Sequence, residues 1–138
     1  MALTPELLYT EFGVHYVPYK GPTQPFLLKE SPGKGYGLFA QNPITANTEI
    51  GVYTGIIREL SLWNPRINPY CLLYPLRHGL YRVVIDALRY GSLMRFLNHS
   101  DEPNVGVDWE GGVPHIYTIR NVALGEELLI SYGKYHFL

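Results

Sequence analysis

Glycine and proline set the limits on what this chain can fold into. Fourteen glycines and eleven prolines are spread over 138 residues. Neither tolerates the interior of a long helix: glycine costs backbone entropy, and proline removes a donor and clashes with the preceding turn. Between them lie short runs rich in β-branched and aromatic side chains. Twelve tyrosines add to the pattern, because tyrosine suits a half-buried strand and joins an apolar ring to a polar tip. The expected fold is mostly β, with several small, short-stranded sheets and few short helices, rather than a parallel α/β sheet.

Charge and cysteine usage narrow the partners. Eleven basic and twelve acidic residues leave a net charge of -1, which gives no broad attraction to nucleic acid or membrane. Hydrophobic residues make up 46 % of the chain, enough for one domain with a core of its own. Cys71 is the single cysteine, so an intrachain disulfide and a multi-cysteine zinc cluster are excluded, and an unpaired thiol fits a reducing compartment. No signal peptide is read at Met1–Glu6, and no apolar run approaches a membrane span.

Along the chain, residues 1–24 read as an irregular N-terminal arm, with Thr4–Leu8 able to cap a short helix, and residues 25–138 as the domain. Strands are expected at Phe26–Lys29, at Glu49–Arg58 with a break at Gly55, at Leu80–Asp86 and at Glu127–Tyr132. Gly111-Gly112 between two apolar runs signals a hairpin. Tyr90–Leu97 has room for one helical turn.

Several motifs have plain alternatives. Gly35-Tyr36-Gly37-Leu38-Phe39-Ala40 matches a dinucleotide fingerprint, but Pro43 and a strand-like run follow where that site needs a helix. A glycine turn, or glycines that let backbone approach a ligand, fits better. Asn98-His99-Ser100 matches a glycosylation pattern without a secretory signal. Adjacent His99, Ser100 and Asp101 cannot easily form a hydrolase triad. The five histidines are scattered, and no metal site is expected.

The order and spacing of four blocks carry more than any one of them. They are Gly33–Ala40, Tyr53-Thr54-Gly55, Arg95-Phe96-Leu97-Asn98-His99-Ser100-Asp101-Glu102-Pro103-Asn104, and Gly125–Gly133. Together they resemble the SET-domain family, especially its compact viral members. The third block is the most specific. Ser131 stands where many members have Asp, and Asp101 replaces a cysteine that often follows Asn-His-Ser.

The resemblance implies a SET fold with a knot-like crossing near the C-terminus, and a protein-lysine N-methyltransferase using S-adenosylmethionine and releasing S-adenosylhomocysteine, without a metal. It implies Lys34, Gly35, Tyr36, Arg95, Asn98, His99, Tyr132 and Phe137 as cofactor-binding residues, with Phe137 covering the adenine. Tyr132 is implied as the central catalytic residue. Tyr70, Tyr53, Ile130 and Val107 are implied along the substrate channel, with Tyr74 close to Tyr70. By analogy the partner is a protein with a target lysine, such as a histone tail, which would place the protein in the nucleus; a homodimer is a further expectation. The alternative is a non-catalytic interaction module that has kept the fold.

Overall fold

The computed structural model describes residues 7–10, 13–16, 25–60, 65–78, 81–89, 91–110, 113–135 and 137. Four small sheets account for the named strands. The first hairpin joins β3 (Phe26–Ser31) to β4 (Gly35–Ala40), with Phe26 opposite Ala40 and Ser31 opposite Gly35. Its turn needs left-handed backbone at Gly33 (φ 76°) and Gly35 (φ 74°), which glycine adopts without a Cβ penalty.

A three-stranded antiparallel sheet has the order β10 (Val105–Glu110), β11 (Val113–Thr118), β5 (Glu49–Val52). Along β11 burial alternates strictly, with Pro114, Ile116 and Thr118 inward, the two-residue period of a strand with one face on the core. The hairpin expected at Gly111-Gly112 is present as the β10–β11 pair; the two glycines lie outside the described residues.

The largest sheet has five strands in the order β2 (Gly13–Tyr16), β1 (Leu7–Thr10), β6 (Ile56–Leu60), β8 (Tyr81–Asp86), β7 (Cys71–His78). Val84 and Ile85 are fully buried here. Within the expected irregular arm, β1 and β2 form an antiparallel pair, and β1 runs parallel to β6. The short helix considered at Thr4–Leu8 gives way to a strand beginning at Leu7, where Leu-Leu-Tyr-Thr finds the open edge of β6 to pair with. Strand β7 has no counterpart in the sequence reading, because Pro75 interrupts its apolar run. It pairs with β8 through a register shift between Leu73 and Arg77, where a strand absorbs irregularity.

The smallest sheet matters most for the site. Strand β9 (Asn98–His99) pairs in parallel with β12 (Leu129–Ile130). The one helical turn expected in 90–97 is a 3-10 helix over Leu93–Phe96; Tyr90 lies outside the described residues. The last strand expected through Tyr132 stops at Ile130, and Tyr132 instead opens α1 (Tyr132–Tyr135). The reversal follows from local bonding: Tyr135 N–H donates to Ser131 O and Lys134 N–H to Ser131 Oγ, so Ser131 caps a turn that the apolar run alone would have carried on as strand.

The core beneath these sheets includes Leu38, Leu72, Ile85, Ile116, Leu128 and Ile130, all fully buried. Truncating any one of these leucines or isoleucines to alanine costs about 2–5 kcal/mol.

Candidate active site

A cavity of about 440 Å³ opens where five chain segments meet. Lys34, Gly35 and Tyr36 enter from the β3–β4 turn and the start of β4, and Pro69 and Tyr70 from the segment before β7. Arg95 and Phe96 come from the 3-10 helix, Asn98 and His99 from β9, and Tyr132 from the start of α1. Of the eight residues expected to bind a cofactor, seven line this one space.

The crossing of the 98 and 132 segments holds these groups in place. Besides the β9–β12 pairing, Ser100 N–H donates to Ile130 O at 3.1 Å and Asn104 N–H to Leu129 O at 2.9 Å. The Tyr132 hydroxyl donates to Leu97 O at 2.7 Å, and Tyr132 N–H donates to His99 Nδ1 at 3.0 Å. An amide N–H can only donate, so Nδ1 of His99 carries no proton. The proton is on Nε2, which donates to Asp101 Oδ1 at 3.0 Å. Both ring nitrogens are therefore engaged, and the His99–Asp101 contact is a hydrogen bond rather than an ion pair.

Burial pushes the Tyr132 phenol above its usual range, with Tyr70 and Glu127 adding to the effect. The hydroxyl stays protonated through neutral and mildly alkaline pH. The aromatic ring of Tyr132 rests between His99, at 5.3 Å, and Phe137, at 5.2 Å. Tyr36 is 57 % exposed at the rim, a free aromatic face beside the cavity.

Phe137, implied as the adenine cover, sits against Tyr132. It does not line the cavity; it packs behind Tyr132 and edge-on to Tyr53 at 5.3 Å. Its N–H donates to Tyr132 O, and it bridges Leu72. An apolar ring tied to β7 in this way supports the floor of the site. Tyr53, Ile130 and Val107 are buried in the core at 1 %, 0 % and 8 % exposure and stand behind the cavity rather than along it. Tyr53 reaches the site through its hydroxyl, which donates to Tyr70 O at 2.6 Å. Of the four channel residues expected, Tyr70 alone borders the open space.

Two residues left without a role by the sequence reading tie the crossing together. Asn104 is fully buried. Its Oδ1 accepts from Leu129 N–H at 2.7 Å and its Nδ2 donates to Glu127 O at 2.8 Å. Glu127 accepts from Ser31 Oγ at 2.9 Å and from Asn98 Nδ2 at 2.8 Å. In the sequence Glu127 opens the last expected strand, and its place in the fourth block was the available signal.

Away from the cavity, the three-stranded sheet brings Glu49, Glu110 and His115 together, with donor atoms within 4.8 Å. His115 turns Nδ1 to Glu49 and Nε2 to Glu110, so both ring nitrogens face carboxylates.

Comparison with known proteins agrees with this geometry. Residues 35–133 match the family described as SET domain. A histone-lysine N-methyltransferase of Candida albicans, H3 lysine-36 specific, is 38 % identical over 110 residues, covering 72 % of this chain and 13 % of the relative. The histone-lysine N-methyltransferase Su(var)3-9 of Drosophila pseudoobscura pseudoobscura is 30 % identical over 122 residues, covering 77 % of this chain and 19 % of the relative. The chain thus spans less than a fifth of the length of these curated relatives. In fold it resembles ctPRC2 solved in an autoinhibited conformation bound to S-adenosylmethionine, with a TM-score of 0.66 at 24 % identity over 83 % of this chain and 16 % of that one.

Proposed function

This chain belongs to the SET-domain family, and from that premise we propose that it is an S-adenosylmethionine-dependent protein-lysine N-methyltransferase. The observation that carries the proposal is the single cavity in which Lys34, Tyr36, Arg95, Asn98 and His99 meet the Tyr132 ring. Its contents fit such a donor: an exposed aromatic face at Tyr36, an amide at Asn98 and the apolar wall of Phe96 and Tyr70. When bound, the donor supplies an activated methyl group on a sulfonium.

The chain's own residues orient the partners and keep water out. Tyr132 is the catalytic candidate, a phenol kept protonated by burial and held by Leu97 O. It aligns the reacting amine rather than attacking, so proximity and orientation carry much of the rate. The target amine must arrive without its proton. Free lysine has a pKa of about 10.4, which costs roughly 3 kcal/mol at pH 8. Loss of hydration beside the Tyr70 and Tyr132 rings favours the neutral amine. His99 has no free lone pair in its ring, and no side chain acts as an essential base. Replacing His99 by a residue that keeps cofactor binding leaves the alkaline limb of the pH profile in place; its disappearance would refute this.

The relatives' names support a protein substrate with a target lysine, such as a histone tail, which would place the protein in the nucleus. The net charge of -1 supports a protein partner over a nucleic acid, and the single buried thiol at Cys71 suits a reducing compartment. Incubation with labelled S-adenosylmethionine and core histones, followed by mass spectrometry, tests the proposal: labelled lysines support it, and no label on any added protein sinks it. Calorimetry against S-adenosylmethionine separates an enzyme from an interaction module that has kept the fold, for which no binding is expected. Light scattering tests the homodimer; a single-chain mass removes it.

A further inference from the structure

The side-chain amide of Asn98 lies between two groups that can only accept. Its Nδ2 donates to Tyr36 O at 3.0 Å and to Glu127 Oε2 at 2.8 Å. Both amide hydrogens are thereby used. Turning the amide over would set its oxygen against a carbonyl and a carboxylate, so the surroundings select one orientation. Among the described residues nothing donates to Asn98 Oδ1, and Asn98 borders the cavity.

Glu127 is in turn held from several sides. Its Oε1 accepts from Ser31 Oγ at 2.9 Å, its carbonyl accepts from Asn104 Nδ2 at 2.8 Å, and its backbone bridges Phe39. The carboxylate occupies the space beside Gly37, where a Cβ would overlap Glu127 Oε2 and come within 3.0 Å of Asn98 Nδ2. Gly37 has no positive φ, so a side chain there would be opposed by the Glu127 carboxylate and not by backbone conformation.

We propose that Glu127 is a positioning residue that fixes the Asn98 amide with its carbonyl oxygen towards the cavity, and that Gly37 is glycine to admit the Glu127 carboxylate. The inference rests on the methyl-transfer reading of the cavity. A fixed carbonyl oxygen complements an N–H donor, and most strongly a charged one. In S-adenosylmethionine and S-adenosylhomocysteine that group is the ammonium of the amino-acid portion.

The test compares two ligands by calorimetry on the full chain. S-adenosylhomocysteine carries the amino-acid portion; 5′-methylthioadenosine lacks it. Glu127→Ala is expected to raise the Kd for the first at least tenfold and for the second less than threefold. Glu127→Gln, which keeps an acceptor for Asn98 Nδ2, is expected to recover most of the loss. Gly37→Ala is expected to show the same ligand selectivity, and the double variant to bind no more weakly than the weaker single one, since both changes act through one contact. Should Glu127→Ala fail to fold, Ser31→Ala loosens the same carboxylate and is expected to give a smaller, equally selective loss. Equal losses on both ligands, or no loss on either, overturn the proposal. A wild-type chain that binds neither ligand overturns the methyl-transfer reading beneath it as well.

Discussion

Two polar nodes flank Tyr70, and they are built on opposite principles. At the crossing, Asn104 and Asn98 are uncharged amides that join backbone and side chains from β9, β12 and the β3–β4 hairpin. On the other side, Asp86 at the end of β8 is a half-buried charge. It accepts from Arg58 Nε at 3.1 Å, Asn68 Nδ2 at 3.0 Å and Leu88 N–H at 3.0 Å. Asn68 Oδ1 then accepts from Tyr70 N–H at 2.9 Å, so the charged node reaches the site wall by one residue. Burial alone would raise the Asp86 pKa, but the bonds from Asn68, Leu88 and Arg58 outweigh it and hold the carboxyl below its usual range. The contrast separates two responses to pH. Asn104 holds Leu129 N–H and Glu127 C=O without a titrating partner, whereas the Asp86 node ties part of the fold's stability to one ionisation.

The largest effect that sharpens this contrast is at the crossing. Tyr132→Phe removes the hydroxyl that donates to Leu97 O and is expected to lower kcat about a hundredfold, in the range seen when one pre-organised donor is lost. Binding of S-adenosylhomocysteine is expected to change far less. An equal loss in both would make Tyr132 a binding group and not a catalytic one.

Next comes Asn104→Ala. It strands the buried Leu129 N–H and Glu127 C=O, at about 3 kcal/mol in total. Thermal unfolding should fall by roughly 10 °C, by the same margin at pH 5 and pH 8. A margin that varies across that range would break the claim that the Asn104 contacts are insensitive to pH.

Asp86→Asn is expected to be smaller, about 2 kcal/mol at pH 7, as for hydrogen bonds to a charged group. Its signature is the pH dependence. A carboxyl with a depressed folded-state pKa stabilises above the ordinary value of about 3.9, and that contribution is lost as pH falls through the folded value. The gap between wild type and variant should therefore close below about pH 4. A gap that persists unchanged in acid would remove the charge from the account.

The smallest effect is expected for Lys34→Ala. Its Nζ donates to His99 O at 3.3 Å in an exposed position, and such contacts contribute about 1 kcal/mol or less. Cofactor affinity should drop no more than a few fold, in a salt-dependent way.

The two nodes were also unequally visible in the sequence. Asn98, His99 and Tyr132 stand in motifs whose order is itself informative, and the structure brings them to one cavity. The Asp86 node is assembled from Arg58 in mid-β6, Asn68 in a proline-broken segment and Asp86 at the end of β8, and no motif marks Arg58 or Asn68 as its partners. Strand β7 was hidden for a related reason: Pro75 breaks its run, and its pairing depends on the separate strand β8. Phe137 shows the limit for a motif residue. The resemblance implied a cover for the ligand; the contacts of Phe137 with Tyr132, Tyr53 and Leu72 are what the fold adds.

The amino-acid sequence by itself determined the strand-rich class, the short element lengths and the residues around which chemistry gathers. These depend on backbone freedom at glycine and proline and on side chains whose functional groups have no substitute. Tertiary structure alone decided which aromatics border open space, which groups hold the Asn98 amide and what a side chain at Gly37 would meet. Each of those is settled by contacts between segments tens of residues apart, and local sequence carries no record of which distant atom will fill the neighbouring volume.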